Sequence, residues 1–201
     1  MTDAMSQTIR QHLREGIRIK EALLDETFVD LVGRAAAAMT AAYQRGHKII
    51  LFGNGGSAAD AQHLAAEFVG RYRRDRRPLP ALALTTDGSS LTAIGNDYEF
   101  GLVFARQVEA LGVCGDVAIG ISTSGKSANV IAALKVARCA GLTTIALTSL
   151  EGSSLAEFAD YCLCIPSAST PSIQEAHMAV GHIVCELVEG ALFENHAPVR
   201  R

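Results

Sequence analysis

The sequence carries no excess of positive charge: 18 Lys and Arg stand against 21 Asp and Glu, for a formal net charge of −3. A dedicated nucleic-acid binder shows a positive excess on its binding face, so that class is disfavoured. Proline is scarce, at 5 residues, and the 18 glycines follow no fixed period, which excludes a collagen-like chain. With 49% hydrophobic and 19% charged residues the chain is not a disordered one either. The five cysteines (Cys114, Cys139, Cys162, Cys164 and Cys185) are odd in number and contain no C-x-x-C spacing. They read as reduced thiols serving as small core residues, with Cys162 and Cys164 along one strand face. No unbroken run approaches the about 18 apolar residues of a membrane span, and the opening MTDAMSQTIRQ has no apolar signal core. One domain over residues 1–201 in a reducing, cytoplasmic setting is expected, since domains usually run about 100–200 residues.

The hydrophobic period organises that domain. Residues 4–24 place Ile9, Leu13, Ile17 and Leu23 at three- and four-residue steps, and residues 27–45 do the same with Phe28, Leu31, Val32, Ala35 and Met39. Both predict amphipathic helices, a leading pair over residues 1–46. Beyond Gly46 the pattern changes to a short apolar run, Lys48–Phe52, expected as a strand buried on both faces. Further strands are expected at Ala81–Leu84, Asp116–Ile121, Thr143–Leu147 and Tyr161–Ile165. Helices are expected at about 58–70, 101–111, 127–140 and 153–159, with a closing helix at about 172–194. Alternating strands and helices imply right-handed crossovers, hence an α/β three-layer αβα sandwich around a five-stranded, mainly parallel sheet.

Ligands of such sheets bind beyond the carboxyl ends of the strands. Two turns there are informative. The first strand runs into Gly53-Asn54-Gly55-Gly56-Ser57, where glycines let backbone amides approach a ligand and Ser57 is placed to cap the next helix. The third runs into Ser122-Thr123-Ser124-Gly125-Lys126-Ser127. Free N–H donors, positive helix ends and short hydroxyl side chains suit an anionic or polyhydroxylated ligand. The second turn also satisfies the literal G-x-x-x-x-G-K-[ST] of a nucleotide-binding P-loop from Gly120 to Ser127. Gly120, however, falls inside the apolar strand, and only Asp87 is available as a Mg²⁺-holding acid. Arg71, Arg73, Arg74, Arg76 and Arg77 crowd one short stretch; it reads as a solvated loop, with a small-anion site as the alternative.

Chemistry-bearing residues gather on two helices. His63 and Glu67, four apart, project from one face of the helix that opens at the Gly-rich turn. The closing helix carries Gln174, His177 and His182, with Glu175 and Glu186 beside them. Imidazole, carboxylate and amide oxygen together suit a divalent metal, zinc being favoured where imidazole is present. Gln174 and His182 stand about 12 Å apart along a helix and about 80° apart in angle. One ion shared by both requires side chains that lean toward each other, or Gln174 at a frayed start.

Four segments, Gly53–Glu67, Thr92–Asp97, Gly120–Ser127 and Ile173–His182, together resemble the sugar-isomerase (SIS) domain family, and within it the phosphoheptose isomerases. The resemblance covers nearly the whole chain. It implies a SIS fold, zinc ligands at His63, Glu67, Gln174 and His182, and an acid/base pair at Glu67 and His182. Sugar-phosphate contacts are implied at Asn54, Gly55, Gly56, Ser57, Glu67, Asn96, Asp97, Ser122, Thr123, Ser124, Ser127 and Gln174. It further implies a homotetramer acting on sedoheptulose 7-phosphate in heptose supply for lipopolysaccharide, with no nucleic-acid or membrane partner. A non-catalytic branch of the same family is an adaptor for the replication initiator and lacks the acid/base pair. Glu67 and His182 favour the enzyme.

Overall fold

A computed structural model of the chain describes residues 2–150 and 153–193. Two helices lead. Helix α1 (Asp3–Ala22) starts where Thr2 accepts a hydrogen bond from the Met5 amide, and α2 (Glu26–Gln44) starts where Asp25 accepts from the Thr27 and Phe28 amides. Such caps satisfy donors that the first helical turn leaves free. The two helices use their apolar stripes differently. Val32, Ala35 and Met39 of α2 are buried, whereas Ile9, Leu13 and Ile17 of α1 are 50%, 64% and 56% exposed. Helix α1 meets the body of the protein through Gly16, Ile19 and Lys20 instead, the last paired with Glu175 at 2.7 Å.

The sheet follows: β1 (Ile49–Gly53), β2 (Ala81–Ala83), β3 (Val117–Ile121), β4 (Thr143–Ser149) and β5 (Tyr161–Ile165). All pairings are parallel, in the order β2-β1-β3-β4-β5. Between them run α3 (Gly56–Val69), α4 (Gly88–Asp97), a 3-10 turn (Phe100–Leu102), α5 (Ala105–Leu111), α6 (Ala128–Cys139) and α7 (Ser153–Ala156); α8 (Thr170–Phe193) closes the described chain. Glu194, the last residue expected in the closing helix, lies outside the described residues.

Strand residues alternate between two apolar layers, as the period of two requires. Ile49, Leu51, Ile119, Ile121 and Leu147 pack with α2, α3 and α8, while Ile50, Phe52, Ala118 and Ala146 pack with α5 and α6. The result is the expected αβα sandwich.

Helix α4 was not legible in the period. Its ten residues, GSSLTAIGND, include two glycines and no buried residue, so it has neither a strong apolar stripe nor high intrinsic propensity. Its start is nonetheless written locally: the Asp87 carboxylate accepts from the Ser89 and Ser90 amides and from the Ser90 hydroxyl. The Ser90 hydrogen bonds hold the Asp87 carboxyl below its ordinary range. Helix α8 is long and apolar enough to cross a membrane by length and composition, yet it packs against α2, α3 and the sheet.

Candidate active site

Strand order reverses between β1 and β3, and the crevice beyond their carboxyl ends is where such sheets bind ligands. Both informative turns open into it. Gly53 is required there, because a Cβ would lie 2.8 Å from the carbonyl oxygens of Ile121 and Ser57. Across the crevice Asn54 and Asn129 exchange two hydrogen bonds, each amide donating to the other's oxygen at 2.8 and 2.9 Å. This pairing ties the turn after β1 to the first turn of α6, and nothing in the local pattern announced Asn129.

The helix starts are barer than the sequence suggested. Helix α3 begins behind Gly55, which takes φ +56° and supplies no side chain, and Ser57 is buried in the first turn without capping it. Helix α6 begins behind Ser127, whose hydroxyl shares a 2.9 Å hydrogen bond with Ser122 instead of capping. Thr123 is half-buried in the intervening turn, Gly125 takes φ +64°, and the Ser124 hydroxyl accepts from the Lys126 amide at 3.2 Å. Two helix N-termini with no side-chain cap therefore face one crevice, with partial positive charge suited to an anion.

Beside this crevice α3 and α8 run in parallel. The Gln174 carboxamide presses on Gly56, where a Cβ would force it to move, Leu64 fills the space a Gly181 side chain would need, and His182 meets His63. Nε2 of His63 lies 2.9 Å from Nε2 of His182 and 3.5 Å from Oε1 of Glu67. The three residues each offer a ligand atom within 4.8 Å of the others. Two imidazoles and a carboxylate converging on one point form a donor set suited to zinc. Gln174, the fourth residue expected, sits against Gly56 at the Gly-rich turn. The Tyr72 ring, which sequence reasoning missed, stacks on His182 with centroids 5.5 Å apart and planes 25° apart.

Tyr72 sits in the arginine stretch, a loop in which Arg71, Arg73, Arg74 and Arg77 are exposed as expected and only Arg76 of the five turns inward. Arg76 is buried and its guanidinium donates to Glu189 and to the carbonyls of Glu67, Phe68 and Gly70, closing the end of α3. Glu189 also accepts from the amides of Tyr72, Arg73 and Arg74. Burial pushes the Glu189 carboxyl up, but these four donors outweigh it and hold it below the ordinary glutamate range. Asn96 donates to Asp97 at the end of α4, and both are exposed.

The P-loop likeness ends at Gly120. That residue lies inside β3, paired with Phe52 and Ala146 and tight under Val130 and Leu134 of α6, whereas a phosphate cradle needs it in the loop. Asp87, the acid that reading required, caps α4.

A model of the SIS domain matches residues 11–149. The chain belongs to the SIS domain family. A phosphoheptose isomerase of Aneurinibacillus thermoaerophilus is 51% identical to this SIS domain over 192 residues, 95% of this chain and 97% of the relative. One from Aquifex aeolicus is 52% identical over 193 residues, 94% and 99% of the two chains. Among solved structures, a phosphoheptose isomerase from Neisseria gonorrhoeae superposes on the SIS domain with a TM-score of 0.87 at 44% identity, covering 92% of this chain and 99% of that one.

Proposed function

We propose that this SIS domain is an aldose–ketose isomerase that converts sedoheptulose 7-phosphate into D-glycero-D-manno-heptose 7-phosphate. The observation that carries the reading is the meeting of Glu67, His63 and His182 beside a crevice with two uncapped helix N-termini. Relatives about half identical over nearly the full length, all named phosphoheptose isomerases, support the same activity.

The residues suit the chemistry. A ketose becomes an aldose by loss of a C1 proton, formation of an enediol and delivery of a proton to C2. Glu67 takes and returns the carbon-bound protons, and His182 moves protons at the two oxygens, the usual task of an imidazole near neutral pH. Tyr72 fixes the plane of the His182 ring. The sugar phosphate is held by the amides of Asn54, Gly55, Gly56 and Ser57, by Ser122, Thr123, Ser124 and Ser127, and by Gln174, with Asn96 and Asp97 reaching it from α4. His63, Glu67 and His182 would hold zinc, with Gln174 as fourth ligand, and Glu67 and His182 would move protons only when released from the metal, since a coordinated lone pair is not free to take one. When bound, zinc polarises the substrate carbonyl and stabilises negative charge on oxygen.

Further features of the reading concern assembly and place. The exposed Met5, Ile9, Leu13 and Ile17 of α1, with Ile183 and Leu187 of α8, supply apolar surface for a homotetramer. The enzyme works in the cytoplasm, at the start of heptose supply for the lipopolysaccharide core or a related glycan. Incubation with sedoheptulose 7-phosphate and a panel of other sugar phosphates, with products identified by NMR, tests the assignment. Conversion of the heptulose phosphate alone or fastest is expected; turnover of another ketose phosphate in its place refutes it.

A further inference from the structure

The five cysteines occupy three environments. Cys114 and Cys139 are exposed. Cys185 is buried in α8, and burial first, then the nearby Glu67 carboxylate, pushes its thiol up to about 12. Cys162 and Cys164 differ from all of these. They are alternate residues of β5, so they share one face of the sheet, and their Sγ atoms lie 3.5 Å apart. Among the described residues strand β5 is the sheet's edge, paired only with β4, and both thiols are half-buried.

At that separation one thiol donates to the sulfur of the other. The hydrogen bond between them lowers the Cys164 thiol, against the opposing effect of burial, and raises Cys162. The thiolate is the reactive form of cysteine. Two adjacent thiols with unequal acidity are the arrangement in which one attacks and the other resolves.

We propose that Cys162 and Cys164 form a reversible dithiol–disulfide pair, in which Cys164 reacts first with a peroxide and Cys162 resolves the product. The Cys164 thiolate attacks one oxygen of hydrogen peroxide, breaking the O–O bond to leave a sulfenic acid and hydroxide. The Cys162 sulfur then attacks the Cys164 sulfur, forming S–S and expelling a second hydroxide. The two thiol protons convert both hydroxides to water, so the pair loses two electrons and two protons and the peroxide is reduced.

Strand geometry makes this bridge labile. Alternate Cα atoms of an extended strand lie about 6.6–6.8 Å apart, at the upper limit of about 6.8 Å for a disulfide. Closure therefore draws β5 in against its pairing of Cys162 with Ala146 and Cys164 with Thr148. A strained bridge is easily reduced, which suits a reversible modification and not a structural staple.

The test exposes the reduced full-length protein to a few equivalents of hydrogen peroxide, followed by proteolysis and mass spectrometry. The peptide containing Cys162 and Cys164 is expected to lose the mass of two hydrogens and to regain it in dithiothreitol. In Cys162→Ser, a Cys164 sulfenic acid trapped by dimedone is expected; in Cys164→Ser, Cys162 stays reduced at the same dose. The proposal fails if the wild-type peptide keeps both thiols at a dose that oxidises Cys114 or Cys139. It fails equally if Cys162 in Cys164→Ser oxidises as fast as the wild-type pair.

Discussion

Nε2 of His63 on α3 faces Nε2 of His182 on α8 at 2.9 Å, although 119 residues separate them in the chain. Two imidazole nitrogens at that distance either share one proton or present two lone pairs to a common cation. Glu67, one turn along α3 and 3.5 Å from His63, adds a carboxylate to the same point. This contact supports metal binding and proton transfer at a single locus, and it makes both testable.

Removing either group proposed as acid or base should abolish most turnover while leaving the fold intact. Glu67→Gln and His182→Gln are each expected to lower turnover of sedoheptulose 7-phosphate by about 10²-fold or more, the usual scale for such groups. Steady-state kinetics beside circular dichroism checks this, and near-normal turnover in either variant would sink the assignment.

The donor set leads to an expected stoichiometry of about one zinc per active site. Metal analysis of the purified protein should find it, and His63→Ala should release it. Full activity after exhaustive chelation, with no metal detected, would remove zinc from the account.

The Arg76–Glu189 pair lies in the core, its side chains 1% and 2% exposed. Glu189→Gln leaves the guanidinium without its countercharge, and breaking a buried pair from one side costs about 3–5 kcal/mol. A fall in Tm of about 10 °C is expected at this chain length. Because Glu189 also fixes the Tyr72 amide, kcat should fall too; an unchanged melt would show the pair to be dispensable.

His177 is fully buried, with Nε2 against the Thr148 carbonyl at 3.1 Å and Nδ1 lacking a hydrogen-bond partner among the described residues. Burial lowers its pKa to about 4, against the Thr148 hydrogen bond. Between that value and the ordinary 6.5 the unfolded chain binds a proton that the folded chain refuses. Stability from this group is therefore complete above pH 6.5 and is lost as pH falls toward 4, by roughly 3 kcal/mol in all. His177→Gln should flatten the wild-type dependence of Tm over that window; an equally steep dependence in the variant would assign it to other groups.

Local pattern alone determined much of this protein. Short apolar runs alternating with helical periods specify a parallel αβα sandwich, because each strand buried on both faces needs helices over it. The glycines and serines after β1 and β3 mark the ligand edge, since strand order and turn chemistry coincide there. His63 and Glu67 share a face by helical spacing, and the family resemblance added Gln174 and His182, so the residues of the candidate metal site were legible without coordinates although their meeting was not.

Only the tertiary structure decided what those faces meet. Periodicity gives the direction of a side chain within its own element and says nothing of which distant element lies opposite. Hence the sequence identified no partner for Asn54, no stacking ring for His182 and no buried role for Arg76; Asn129, Tyr72 and Glu189 supply these from across the fold. The same limit explains α1, whose Ile9, Leu13 and Ile17 form the apolar stripe of an amphipathic helix yet remain exposed. An apolar stripe records that burial is favourable, while packing within the chain decides whether the chain itself provides it.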